Sequence, residues 1–421
     1  MTDQIDLHKE ARRTKPDFVV YVPHGKESGA VPIDQQNVHI IVTPTQNGTF
    51  IATWTQADIL HGPQQRIVVA HSYDQGRTWS DPDVIDAPEP GTENIASWSS
   101  LVIVPQTGRI YCIYHKNIGL TDFDRGMTGV LAWRFSDDDG MTWSRRFQTF
   151  IGRKAIDHPD PSYPSNWVTA GWQAPIVTAH GHVIIPITRW ASRHYHDRQD
   201  FSAQHHEGCF LRFENILSEP DPSKLTMTTL PLTDQGIQIP NPNEPGYSAA
   251  MEPTIQNLDD GRIICLLRTM TGNIYYCVSS DSGETWTEPK ILHHVPGGPP
   301  ILHPNSPCVL TKMTCGLYLL FHHNNDGTAN GGSGPEDSKS RRPVWVSIGR
   351  EIDNPNGQPI TFDAPKQFYD NGGESRPYAG SLALYGSFFE YGGSYYWWYP
   401  DAMRFLLGKI VPDNITNSPS L

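Results

Sequence analysis

From Asn37 to Trp54 the chain reads NVHIIVTPTQNGTFIATW. An apolar run, an Asn-Gly turn and a second apolar run predict two antiparallel strands joined by a hairpin. The same strand–turn–strand pattern returns in SLVIVPQTGRIYCIYHK, WQAPIVTAHGHVIIPITRW, PTIQNLDDGRIICLLRT, SPCVLTKMTCGLYLLFHHN and SLALYGSFFEYGGSYYWWYP. Between these hairpins lie further strand-like runs such as VVAHS, LAWRFS and YYCVSS. No long segment has helical periodicity, so the pattern predicts an all-β chain built from repeats.

The turns repeat as well. SYDQGRTW (Ser72 to Trp79), SDDDGMTW (Ser136 to Trp143) and SSDSGETW (Ser279 to Trp286) all read Ser-x-Asp-x-Gly-x-Thr-Trp. In such a turn the Asp carboxylate accepts backbone N–H groups, Gly takes a positive φ, and Trp packs back between sheets. A degenerate copy lies between Ser347 and Phe362. The units recur every roughly 55 to 80 residues, which suits four-stranded propeller blades with loops. The expected fold is a single β-propeller over residues 17–412 with a polar N-terminal tail over 1–16 and a C-terminal tail over 413–421. Six blades are counted, and the stretch from Trp143 to Met251 has room for a seventh. The run RFLLGKIV offers a third strand for the last blade, and DFVVYV (Asp17 to Val22) a fourth, so that the N-terminus closes the ring.

In a propeller, the leading ends of the innermost strands and the far ends of the second strands converge on one mouth of the channel. The inner-strand starts carry Asn37, His39, Trp98, Gln173, Glu252, Asn305, Arg376 and Tyr378. The second-strand ends carry Gln56, Asp58, His115, Lys116, Arg189, Arg268, His322, His323 and Asn325. Polar and ionisable residues in register beside apolar strands point to a pocket there. Singly, each has an ordinary reading. Arg268, for instance, could serve only to pair with Glu252.

Charge and composition narrow the partner. The net charge is −13 and the pI near 5.7, which argues against nucleic acid. No run of eighteen apolar residues is present to span a membrane. The first residues lack the apolar core of a signal peptide, leaving the cytoplasm or, with a leader removed, the periplasm or exterior. The six cysteines show no zinc-ligand spacing and read as free core thiols. The 12 Trp and 17 Tyr are a surplus common in carbohydrate-facing proteins and equally useful for packing short strands. A His-rich loop from Arg193 to Gly208 offers His194 with His196, or His205 with His206, to a metal. A structural divalent cation such as Ca2+ in the channel is compatible with this fold, and no other cofactor is implied.

The three turn motifs resemble the Asp-boxes, or BNR repeats, of the sialidase superfamily, and the resemblance spans nearly the whole chain. It is best in MEPTIQNLDDGRIICLLRTMTGNIYYCVSSDSGETW, where Glu252 and Arg268 fall at that family's Glu and one of its carboxylate-binding Arg positions. SRPYAGSL resembles the last-blade segment carrying the sialidase nucleophile, which would be Tyr378. The chain departs from the family on the first inner strand. Sialidases open with Arg-Ile-Pro there, whereas this chain has Val38-His39-Ile40, so one of three Arg is replaced by His. The acid/base Asp of the following loop has only Asp58 as a candidate.

In residue types the chain is closer to propeller enzymes acting on L-rhamnose linked α-1,4 to D-glucuronic acid, and to uronate lyases. That resemblance implies β-elimination on an acidic oligosaccharide or polysaccharide by a monomer. Arg189, Arg268 and Arg376 would neutralise the uronate carboxylate, His39 or His115 would take the C5 proton, and Tyr378 or a second His would protonate the leaving oxygen. Gln173, Glu252, Asn305 and His322 would line the sugar site, with Trp98 or Trp190 stacking on a ring face. An exo-glycosidase, either an α-L-rhamnosidase or a sialidase-like enzyme, would use the same pocket. In the sialidase-like case Tyr378 is the nucleophile, Glu252 its partner and Asp58 the acid/base. A non-catalytic carbohydrate-binding propeller is the third expectation.

Overall fold

The computed structural model describes residues 6–24, 33–169, 174–195, 204–373 and 381–416. Among the described residues the strands form six antiparallel sheets. Blade 1 runs outward through Gln36–Pro44, Phe50–Ala57, Arg66–Ser72 and Asp83–Asp86. Blade 2 is Ala96–Ile103, Ile110–Lys116, Val130–Ser136 and Phe147–Thr149. Blade 3 has an inner edge in two pieces, Asn166–Thr169 and Ile176–Val177, both paired with Val183–Trp190, then His206–Phe213 and Met227–Leu230. Blade 4 is Met251–Asn257, Ile263–Arg268, Tyr275–Ser279 and Lys290–Ile291. Blade 5 is Val309–Lys312, Tyr318–His322 and Val344–Glu351, with its outer edge split into Ile360–Phe362 and Lys366–Tyr369. Blade 6 is Ser387–Tyr391, Ser394–Asp401 and Phe405–Ile410, completed by Phe18–Tyr21 from the N-terminus. The stretch with room for a seventh blade is taken up by blade 3 and its loops.

Burial explains the unbroken apolar runs. Each sheet has a neighbour on both faces, so both sides of a strand are buried, as along Phe50–Ala57 and Val183–Trp190. One apolar cluster fills each junction between blades. Between blades 1 and 2, for example, Ile41, Ile51 and Val69 meet Leu101, Cys112 and Ala132. At the closure, Phe18 pairs with Gly408 across the strands, and its ring lies 5.3 Å from that of Trp398. All six cysteines are free, and Cys315 alone among them is exposed.

The Asp-boxes take the expected form. In the third, Asp281 Oδ1 accepts the Thr285 N–H at 2.9 Å and Oδ2 accepts the Thr285 hydroxyl at 2.5 Å. The Ser279 hydroxyl donates to Asp281 at 2.8 Å and accepts the Gly283 N–H at 2.8 Å. Gly283 has φ +87°, which a side chain would strain. Trp286 donates to the Gly283 carbonyl at 3.0 Å and stacks on Phe210 of blade 3 at 4.7 Å. The box thus ties a local turn to the neighbouring sheet.

Both ends of the described chain are docked. Residues 6–16, expected as a polar tail, include the short helix Leu7–Glu10 and place Ala11 in the cluster between blades 5 and 6. The Thr14 hydroxyl lies 2.6 Å from that of Tyr399. Ile415, in the helix Asp413–Thr416, is buried in the same cluster.

Removing the carboxylate of one box leaves Thr285 N–H and two hydroxyls to solvent. Asp281→Ala is expected to lower unfolding stability by about 1–2 kcal/mol, read as a shift of the urea midpoint at unchanged slope.

Candidate active site at the channel mouth

Three inner strands share one backbone device. His39, Trp98 and Glu252 have φ of +60°, +58° and +42°. Each lies where its strand slips register against the second strand, between Val38 and Ile41, Ser97 and Ser100, and Met251 and Thr254. The extra residue of a β-bulge leaves the ladder and re-aims its side chain. Two of these bulges are held by a threonine of the preceding blade. Thr55 Oγ1 accepts the Trp98 N–H at 2.9 Å, and Thr188 Oγ1 accepts the Glu252 N–H at 2.6 Å.

Glu252 and Arg268 form the electrostatic centre. Arg268 Nη1 donates to Glu252 Oε2 at 2.6 Å and to the Tyr385 hydroxyl at 3.3 Å, while Nε donates to Asn305 Oδ1 at 2.5 Å. Arg268 is buried and its partner Glu252 is partly open, at 4% and 13% side-chain exposure. Burial alone would push the guanidinium's pKa down, but the charge of Glu252, aided by Tyr385, holds it above its ordinary value. Asn305 also donates towards Glu336 at 3.4 Å. Arg341 enters beside this group from the loop before Val344–Glu351. Burial first, and then the like charge of Arg268, push its pKa down. Its Nε is buried with no hydrogen-bond partner among the described residues.

An aromatic and imidazole layer adjoins the group. The His39 ring lies 4.5 Å from Tyr385 and 4.3 Å from Trp98. Burial, then the charge of His61, lower the His39 pKa to about 3. Trp98 is buried, donates to the Gly126 carbonyl at 2.8 Å and has His61 5.7 Å from its ring. His61 Nδ1 lies 2.7 Å from Asp124 Oδ1. Asp58 begins the loop that carries His61 and is half-buried, with Oδ1 unpartnered among the described residues.

Of the expected site residues, His39, Trp98, Glu252, Arg268 and Asn305 therefore come together. Trp98 does so as a buried support, and Trp190 is likewise buried, edge-on to His206 at 4.1 Å, so neither offers a sugar-stacking face. Four second-strand residues lie between blades instead. His115 is fully buried, with Nε2 2.9 Å from the Met127 carbonyl and its ring against Trp167. His322 is fully buried beside the Ser347 hydroxyl at 3.1 Å. Arg189 is fully buried and donates to Asp157, to Ser165 at 2.7 Å and to the Gly152 carbonyl at 2.6 Å. Lys116 is buried and donates to the carbonyls of Ala87 and Asn94 at 2.9 and 2.6 Å. Gln173, Arg376, Tyr378 and His196 lie outside the described residues. His205 sits 3.4 Å from Glu207, and among the described residues no three metal-ligating side chains come together. No described helix is long and apolar enough to cross a membrane.

Residues 48–361 match the BNR repeat-like domain family. The chain belongs to that family. No curated protein sequence matches it. Among solved structures, the Hadza microbial sialidase Hz136 aligns over 90% of this chain and 66% of its own, at 17% identity and a TM-score of 0.57. The intramolecular trans-sialidase from Ruminococcus gnavus, in complex with oseltamivir carboxylate, aligns over 92% and 96%, at 15% identity and a TM-score of 0.56. A protein of unknown function from Dyadobacter fermentans aligns over 94% and 98%, at 14% identity and a TM-score of 0.60. At such identities the likeness is one of fold. This BNR repeat-like propeller therefore has the six-bladed architecture that its Asp-boxes implied.

The buried histidines give the propeller a pH signature. Burial lowers the pKa values of His115, His322 and His323 to about 3, as it does for His39. An unfolded His takes its proton near pH 6.5, so between these values the unfolded chain binds more protons. Their contribution to stability is complete above about pH 6.5 and is lost as pH falls towards 3. His115→Gln is expected to reduce the loss of unfolding free energy between about pH 6 and 4 by about 1.4 kcal/mol per pH unit, measured by urea titrations across that range.

Proposed function

We propose that this propeller cleaves the glycosidic bond of an acidic sugar, holding the sugar carboxylate with Arg268 and Arg341. The observation that carries this reading is the Arg341 guanidinium, whose Nε is buried with no hydrogen-bond partner among the described residues and whose pKa is pushed down by burial and by the charge of Arg268. A carboxylate there would satisfy the donor and offset the repulsion, and Arg binds carboxylates through a planar fork. The sialidase structures of the same fold support an acidic sugar as the substrate class.

The chemistry follows from a shared nitrogen. Glu252 and the Tyr385 phenol both bond to Arg268 Nη1, so a carboxylate able to take a proton and a phenol able to lose one meet beside a fixed positive charge. That arrangement suits a tyrosine oxygen attacking an anomeric carbon, with Arg268 stabilising the developing charge. The β-elimination expected from residue types would ask His39 to remove a C5 proton. With its pKa lowered to about 3, His39 is a weak acceptor, and hydrolysis is the better reading.

The test combines product and substrate. The protein is incubated with a fluorogenic sialoside and with rhamnosyl-glucuronate, and free sugar and the ultraviolet absorbance of unsaturated uronate are followed together. Free acidic sugar without unsaturated product is expected. Unsaturated product would mean elimination, and saturable binding without cleavage a sugar-binding propeller. On the substrate that is cleaved, Arg341→Met is expected to lower kcat/KM by roughly 100-fold, and to have little effect on an analogue whose carboxylate is a carboxamide.

A further inference from the structure

We infer that His61 and Asp124 form the proton-transfer pair of this site, with Asp124 orienting the ring and His61 Nε2 exchanging the proton with the glycosidic oxygen. The inference rests on the hydrolytic reading above.

The two residues come from different blades. His61 lies in the loop that leaves Phe50–Ala57, and Asp124 in the loop that leaves Ile110–Lys116. His61 Nδ1 is 2.7 Å from Asp124 Oδ1, which also accepts the Gly126 N–H at 2.7 Å. The carboxylate therefore holds one ring nitrogen and leaves Nε2 for chemistry. The residue is held on three sides. The His61 backbone N–H donates to Gln65 Oε1 at 2.7 Å, and the Trp98 ring is 5.7 Å from the imidazole. Gly126 passes so close that a Cβ there would lie 2.8 Å from His61 Cγ. His61 itself has φ +60°, a backbone form that a non-glycine residue adopts at a cost.

Access separates this histidine from the others near the mouth. The side chains of His61 and Asp124 are 22% and 35% exposed, whereas His39 and His115 are buried behind them. Among the described residues, the following charged and titratable groups lie near the pair. Asp58 shares the His61 loop, Arg125 follows Asp124 but is spent on Glu93, and Lys116 is spent on carbonyls and Asp86. Asp122 shares the Asp124 loop and accepts from Asn166 and Ser192, and burial keeps the nearby His39 and His115 neutral at neutral pH. Through Trp98, His39 and Tyr385, the pair connects to Arg268 and Glu252 by a continuous series of ring contacts and hydrogen bonds.

In the first half-reaction Tyr385 Oη bonds to the anomeric carbon and its proton passes to Glu252. The bond from that carbon to the leaving oxygen breaks, its electron pair goes to the oxygen, and protonated His61 supplies the proton. In the second half, water attacks the same carbon and gives a proton to neutral His61. The tyrosine oxygen leaves and recovers its proton from Glu252. The sum is glycoside plus water giving the free sugar, a hemiacetal or hemiketal, and an alcohol, with the enzyme unchanged.

Leaving-group dependence tests this. An aryl glycoside with an acidic phenol needs no protonation to depart, whereas an alkyl glycoside does. His61→Gln is expected to lose roughly 100-fold or more in kcat/KM on the alkyl glycoside of the acidic sugar, and under tenfold on the aryl one. Asp124→Asn leaves the ring in place without its carboxylate, and is expected to show the same split between the two glycosides at a smaller size. Thermal melts of both variants report their folding. Equal losses on the two glycosides with a wild-type melt, in either variant, would overturn the pairing while leaving the hydrolytic reading intact. Cleavage of neither glycoside by the wild-type protein would overturn both.

Discussion

Each blade buries both faces, so no sheet here is complete without two neighbours, and the ring has to close. The strand Phe18–Tyr21 makes that closure by pairing with Phe405–Ile410 and bringing Phe18 against Trp398. The rest of the molecule depends on this constraint. With the ring closed, inner strands of adjacent blades touch around a channel, and their mouth-side ends are held at fixed separations. The clusters between blades fix the angle of each sheet, and the Asp-box tryptophans add cross-blade contacts such as Trp286 on Phe210. Groups from blades 1, 2, 4, 5 and 6 can then share one small volume without any long segment having to fold over it.

The site uses that rigidity in two ways. His39, Trp98 and Glu252 are presented by strained backbone, which persists only where the surroundings over-determine it. The threonines that accept the Trp98 and Glu252 N–H groups belong to the preceding blades, so the strain is held across junctions. Arg341, His61 and Asp124 come from loops instead. Arg341 lies within reach of the charge of Arg268, and the His61–Asp124 pair packs against Trp98 and Gly126.

What the sequence made legible follows from where the physics is local. The Asp-boxes were readable because one turn needs Ser, Asp, Gly, Thr and Trp at fixed spacing. His39, Glu252, Arg268 and Asn305 were readable because a polar residue at the end of an apolar strand needs a reason to be there. His115, Arg189 and His322 have the same signature and a different fate. Adjacent residues on a strand face opposite ways, and in a blade both ways are buried. A polar residue at a strand end can therefore face the channel or a neighbouring blade, and the pattern alone does not separate the two. Arg189 satisfies Asp157 and Ser165, which lie 32 and 24 residues earlier. Arg341, His61 and Asp124 sit in loops with no periodicity to mark them, although all three loops leave the mouth end of a second strand. Tyr385 lies within a strand-like run in which nothing distinguishes it from its aromatic neighbours.

The bulges at His39, Trp98 and Glu252 have a consequence for how such a protein changes over time. They work as sockets. The backbone, its register slip and its threonine clasps determine where a side chain is shown to the channel, and they do so with imidazole, indole or carboxylate in place. A substitution there alters what the ligand meets while the clusters between blades stay as they were. Folding and the make-up of the mouth are thus written in separate parts of the chain, and a lineage built on this ring can change what the mouth presents without rebuilding its core.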